Sequence, residues 1–161
     1  AAHVVVDLPR QWNDWLSNIL VLSDEVVITA APDLSNLRDA KMLVDWMRSR
    51  RGEQVNVRLV LNKLDASKKT QLSVKDFQES LRLVPVGVLP FEPQIFGQLS
   101  NNGQVFGEGA RSHKAAATFR QLAMALGGRQ AGDRGAVGGG GGGGDNSLLG
   151  WLKKLPKKQA S

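Results

Sequence analysis

The chain has 161 residues, 42% of them hydrophobic and 22% charged, and no cysteine. That is a globular ratio, and it excludes wholesale disorder, disulfide bonding, thiolate catalysis and cysteine-ligated zinc. Residues 1–128 carry 15 Lys/Arg against 13 Asp/Glu and residues 129–161 carry 6 against 2, so most of the net charge lies in the tail, which argues against a nucleic-acid-binding body.

No apolar run reaches the roughly 20 residues of a membrane span, and the opening residues lack the basic-then-apolar order of a secretory signal. Two histidines, His3 and His113, are too few for a multi-histidine metal site. No methionine opens the chain, and its first residues already read as strand. The expectation is therefore the C-terminal piece of a longer protein.

In chain order, Val4-Val5-Val6-Asp7-Leu8 has the continuous apolar pattern of a strand buried on both faces, closed by Pro9. Trp12, Trp15, Leu16, Ile19 and Leu20 recur at helical spacing. Val26–Ala30 reads as a strand, and Asp33 caps a helix running to about Arg50, with Leu34, Leu37, Ala40, Val44 and Met47 inward. Val55–Leu61 is a further strand ending at Asn62-Lys63-Leu64-Asp65. Ser73 and Asp76 have the spacing of a capping box before Val74, Phe77 and Leu81. Val84–Leu89 is a weaker strand, with its proline at an edge or start position. A short helix over 94–99 follows the rigid Pro90-Phe91-Glu92-Pro93 loop. Ser112 can cap a last helix with Ala116, Phe119, Leu122, Ala123 and Leu126 on one face.

Strands alternating with helices predict an α/β fold of three layers, a mainly parallel sheet flanked by helices. In such sheets ligands bind beyond the carboxyl ends of the strands. The residues to weigh are thus Asp7, the Asn62–Asp65 turn and the loop at Pro90. Asp7, a carboxylate closing an apolar strand, is either a Mg²⁺ organiser of the kind found in nucleoside triphosphatases or a cap for the following helix. An asparagine amide at Asn62 can both donate to and accept from a purine edge, and the Lys63 stem can pack on the ring. The same four residues also suit an ordinary polar turn. Pro90-Phe91-Glu92 is either a tight turn or a flat wall beside a base. No Walker-A loop occurs in this chain, and the glycine tract at 138–144 follows no strand, so its match to a dinucleotide fingerprint is void.

Taken together and in order, VVVDLPR, SDEVVITAAPDLSNLRDAKMLVDWMR, VRLVLNKLD, VPVGVLPFEP and NNGQVF resemble the C-terminal half of a MinD/ParA-type P-loop ATPase over about residues 3–126. The Asp7-Leu8-Pro9-Arg10 variant, where other members have Asp-Thr-Pro-Pro, is most similar to the pilus-assembly branch called CpaE or TadZ. The resemblance implies that ATP or ADP and Mg²⁺ bind the complete protein, with Asp7 acting on Mg²⁺ through water. Asn62, Lys63 and Asp65, with Pro90, Phe91 and Glu92, would then adjoin the adenine. It also implies a homodimer in the nucleotide-bound state, contact with type IV or Flp pilus secretion machinery, and a cytoplasmic location, peripheral on the inner face of the membrane or at a cell pole. The missing lysine-bearing phosphate loop means that this piece alone is not expected to hydrolyse ATP. The competing reading is a non-catalytic scaffold that recruits pilus secretion components. A receiver-like domain would need acidic residues clustered after the first strand and a lysine after the last, and the chain supplies neither.

From Arg129 the composition shifts, and residues 129–147 read as a glycine-rich flexible linker. Residues 148–161 form a basic amphipathic tail. Leu148, Leu149, Trp151, Leu152 and Leu155 recur at helical spacing with Lys153 and Lys154 beside them, which reads either as an anchor on an anionic membrane surface or as a solvated basic tail that aids solubility or docks on an acidic partner.

Overall fold

Asp33 has extended backbone and its carboxylate accepts the N–H of Asn36 at 2.8 Å, which fixes where the longest helix begins. Gly52, at φ 86°, ends it in a conformation that favours glycine. A computed structural model of the chain describes residues 3–53, 55–67 and 69–127. Within them the helices and strands are α1 (Asp14–Leu22), β1 (Val26–Ala30), α2 (Leu34–Arg51), β2 (Val57–Leu64), α3 (Val74–Leu81), β3 (Pro85–Pro90), α4 (Pro93–Asn101), α5 (Phe106–Gly109) and α6 (Lys114–Leu126). The three strands form a parallel sheet in the order β1-β2-β3. The linker and the basic tail lie outside the described residues.

Alternation along the strands divides the core between the two faces. On one face, Ile28, Leu59, Leu61 and Val88 meet Leu16 and Leu20 of α1, Val44 and Met47 of α2, and Phe77 and Leu81 of α3. On the other, Val60 and Leu89 meet Ala115 of α6, with Val86, Phe106, Phe119 and Leu122 packed around them. The expected helix–sheet–helix layering is present. α3 carries the expected capping box: Ser73 Oγ accepts the Asp76 N–H, and the Asp76 carboxylate accepts the Ser73 N–H.

Val4–Leu8 is not a strand. Val4 and Val5 are 86% and 92% exposed, and β1 stands at the edge of the sheet with no second partner among the described residues. An apolar run states a preference for burial, but a strand also needs a neighbour to take its N–H and C=O groups. Trp12 likewise lies outside α1. Asn13 caps that helix through its Oδ1, and Trp12 instead packs edge-on against Trp46, with ring centroids 4.8 Å apart. Leu34, placed inward by its spacing, is 64% exposed at the first position of α2.

Candidate functional site

The carboxyl ends of the three strands lie along one rim, and two backbone hydrogen bonds join the loops there. Leu72 N–H donates to the Pro32 carbonyl after β1, and Phe91 N–H donates to the Leu64 carbonyl at the end of β2, each at 2.8 Å. The second bond brings the Asn62–Asp65 turn against the Pro90–Glu92 loop.

The end of β2 is shaped by a bulge. Leu61 is in register with Val88 and Leu64 with Pro90, so β2 spends one more residue than β3 across this step. An extra residue bends the strand and re-aims the side chains around it. Lys63 and Asp65 take left-handed conformations, φ 58° and 64°, an arrangement more often seen in Gly and Asn. Asn62 Oδ1 accepts the Lys63 N–H at 2.8 Å, which supports the bulge. The Asp65 N–H donates to Gln71 Oε1 at 2.6 Å. The Asn62 amide nitrogen has no partner among the described residues, so the half-buried side chain keeps two donors for a ligand's acceptor. Phe91 is 46% exposed, presenting apolar ring surface at the rim.

Glu92 is differently placed. Its Oε2 lies 2.7 Å from His113 Nε2 and its Oε1 2.7 Å from Lys114 Nζ. With both oxygens engaged, the carboxylate braces its loop against the start of α6. His113 and Lys114 were not among the residues singled out from the sequence. The signal was a histidine directly before an apolar helical pattern, since an imidazole nitrogen can cap a helix. His113, and not Ser112, is the N-cap: its Nδ1 accepts the Ala115 N–H at 3.2 Å. A shallow groove of about 500 Å³ runs beside this contact, lined by Glu92, Pro93, Gln94, Ile95, Gln98 and His113. A second depression of similar size, between α2 and α3, is lined by alternating charges away from the rim.

Asp7 is exposed in the segment before α1. A lone carboxylate holds Mg²⁺ only together with other oxygen ligands such as phosphates and waters. Among the described residues no group of three or more His, Asp or Glu side chains is placed to bind a metal. Nor is any described helix long and apolar enough to cross a membrane.

A parallel sheet with helices on both faces and polar turns at the strand ends defines an α/β fold whose ligand sites lie beyond the carboxyl ends of the strands. No protein-family model matches the chain. MinD, the septum site-determining protein of Escherichia coli K12, is 31% identical over 110 residues, which cover 63% of this chain and 40% of that protein. The Neisseria meningitidis serogroup B MinD is 26% identical over the same coverage. Among solved structures, MinD of Aquifex aeolicus superposes with a TM-score of 0.58 at 22% identity, covering 69% of this chain and 47% of that one. A ParA-family ATPase of Chlorobium tepidum gives 0.57 at 18% identity, covering 71% and 45%. The A. aeolicus MinD solved in complex with MinC also gives 0.57. Over part of its length the chain is similar in sequence to MinD and shares the fold of the MinD and ParA-family structures, and it spans about 40% of the curated relatives it matches.

Proposed function

We propose that residues 1–128 are the C-terminal half of a MinD/ParA-like nucleotide-binding domain, and that the complete protein binds adenine nucleotide at the rim described above. The observation that carries this reading is the Phe91–Leu64 hydrogen bond, which joins the Asn62–Asp65 turn and the Pro90–Glu92 loop into one surface. The unpartnered Asn62 amide suits the polar edge of a purine, and Phe91 with Pro90 and the Lys63 stem suits its faces. Asp65 keeps the turn in register through Gln71. Glu92 sets the position of the wall. Nucleotide, when bound, supplies phosphates for Mg²⁺, toward which Asp7 contributes one carboxylate through water.

In this reading the complete protein forms a nucleotide-dependent homodimer and serves type IV or Flp pilus assembly, the role suggested by Asp7-Leu8-Pro9-Arg10. Residues 129–147 link the body to a membrane-surface anchor at 148–161. A non-catalytic scaffold is favoured instead by the commitment of both Glu92 oxygens to His113 and Lys114, a purely structural use of that loop.

The test is calorimetric titration of the complete protein with ATP and ADP. Asn62→Ala weakens binding by about 1–3 kcal/mol, the range for losing a buried polar partner. Unchanged affinity removes Asn62 from the site and leaves the scaffold reading standing.

A further inference from the structure

We propose that Gln71 is a positioning residue for the Asn62–Asp65 turn: its side-chain amide holds Asp65 in the left-handed conformation and so sets where the Asn62 amide stands on the rim. Asp65 at φ 64° follows Lys63 at φ 58°. Left-handed backbone costs a residue with a side chain free energy, and it persists where the surroundings impose it. For Lys63 the support is local, since the preceding Asn62 Oδ1 accepts its N–H at 2.8 Å. For Asp65 it comes from outside the turn, six residues on. Gln71 Oε1 accepts the Asp65 N–H at 2.6 Å, and Gln71 Nε2 donates to Asp65 Oδ1 at 3.5 Å. One primary amide, with an acceptor and a donor side by side, meets both the backbone and the carboxylate of the strained residue.

The half-buried Gln71 side chain is well placed for this because its own backbone is pinned on both sides. Its N–H donates to the Ser67 carbonyl at 3.0 Å, and the next N–H, of Leu72, donates to the Pro32 carbonyl at 2.8 Å. Ser73 then opens α3 with its capping box. A continuous series therefore runs from Pro32 through Leu72, Gln71, Asp65 and Leu64 to Phe91, and it joins the loops after all three strands. The Pro32–Leu72 and Leu64–Phe91 bonds are backbone to backbone. The link at Gln71 is made by a side chain, so a substitution can cut it and leave the other two partners in place. Its bearing on nucleotide rests on the proposed function; the hold on the turn does not.

Gln71→Met keeps the length of the side chain and removes both polar partners. In NMR of the 161-residue chain without nucleotide, this variant speeds exchange of the Asp65 backbone amide about two- to tenfold, the range for losing one neutral hydrogen bond. The Phe91 amide follows, while Phe77 in α3 stays protected and reports that the domain is folded. Gln71→Glu combined with Asp65→Asn exchanges the carboxylate and the amide between the two positions, and it restores protection at residue 65 and at Phe91. A side chain that merely fills space would be unmoved by Met and would not call for the exchange. In the complete protein, Gln71→Met weakens ATP binding two- to tenfold by calorimetry. Unchanged exchange at Asp65 and Phe91 in Gln71→Met overturns the proposal, and so does an ATP affinity that falls in Asn62→Ala but not in Gln71→Met. If exchange responds while neither variant alters ATP affinity, the base-site reading fails and the hold of Gln71 on the turn stands.

Discussion

Arg51 reaches back 28 residues to donate from Nη1 to the Ser23 carbonyl at 2.6 Å. The contact closes the last turn of α2 onto the C-cap of α1 and satisfies a carbonyl that the helix end leaves without an internal partner. Arg51→Ala removes a part-buried, charge-assisted bond and lowers stability by about 1.5–3 kcal/mol in urea unfolding. Arg51→Lys recovers only part of this, because a single ammonium lacks the guanidinium's fork of donors.

Phe77 is fully enclosed between α2, α3 and the sheet. Phe77→Ala deletes that ring and is expected to cost about 3–5 kcal/mol, the range for a large core aromatic. Leu34→Ala, on an exposed turn of α2, shifts the same unfolding midpoint by less than about 0.5 kcal/mol.

The Ser73–Asp76 capping box gives a pH dependence with a definite sign. The Ser73 hydroxyl, and after it the Ser73 backbone N–H, hold the Asp76 carboxyl below its usual range. A lowered folded-state pKa adds stability above the unfolded value, and that stability is lost as pH falls through the folded one. Asp76→Asn flattens the acid limb of a stability–pH profile by this one group. Ser73→Ala also removes the cap, at about 1 kcal/mol near neutral pH.

The outer edge of β1 meets no strand among the described residues, and Val4, Val5 and Val27 are exposed near the start of the fold. Unpaired strand edges beside apolar side chains promote association. The 161-residue chain is expected to self-associate in analytical ultracentrifugation. Val5→Lys with Val27→Lys shifts it toward monomer without lowering its unfolding midpoint. A monomer at all concentrations before substitution contradicts this.

For the basic tail, a fusion of residues 145–161 to an unrelated carrier should sediment with phosphatidylglycerol vesicles and not with neutral ones. Four lysines supply at most roughly 4 kcal/mol of salt-sensitive attraction. Trp151→Glu should abolish the salt-resistant remainder, and if it changes nothing, insertion is wrong.

Much of this fold was legible from local chemistry. Asp33 and the Ser73–Asp76 pair mark their helix starts because capping is decided within four residues. The three paired strands announce themselves as apolar runs. Val4–Leu8 misleads for a physical reason, since its side chains specify burial and nothing in them specifies a pairing edge. At the candidate site, the residues themselves point to Asn62–Asp65 and Pro90–Glu92 one at a time, and only the family resemblance sets them beside the same base. Their union through Phe91 and Leu64, and the bracing of Glu92 by His113, depend on register and on residues 21 positions apart.

The two faces of the sheet are filled unequally. α1, α2 and α3 share a broad apolar layer containing Met47, Leu59, Leu61, Phe77 and Leu81, whereas α6 sets Ala115 on Val60 and Leu89 with half-buried neighbours. Local opening costs least where buried apolar contact is sparse. The molecule is therefore graded, with a layer that opens only when the whole domain melts and another that can detach well before it. Because α6 belongs to the second layer, whatever pulls on the C-terminal end of the chain acts on the part of the domain that resists least.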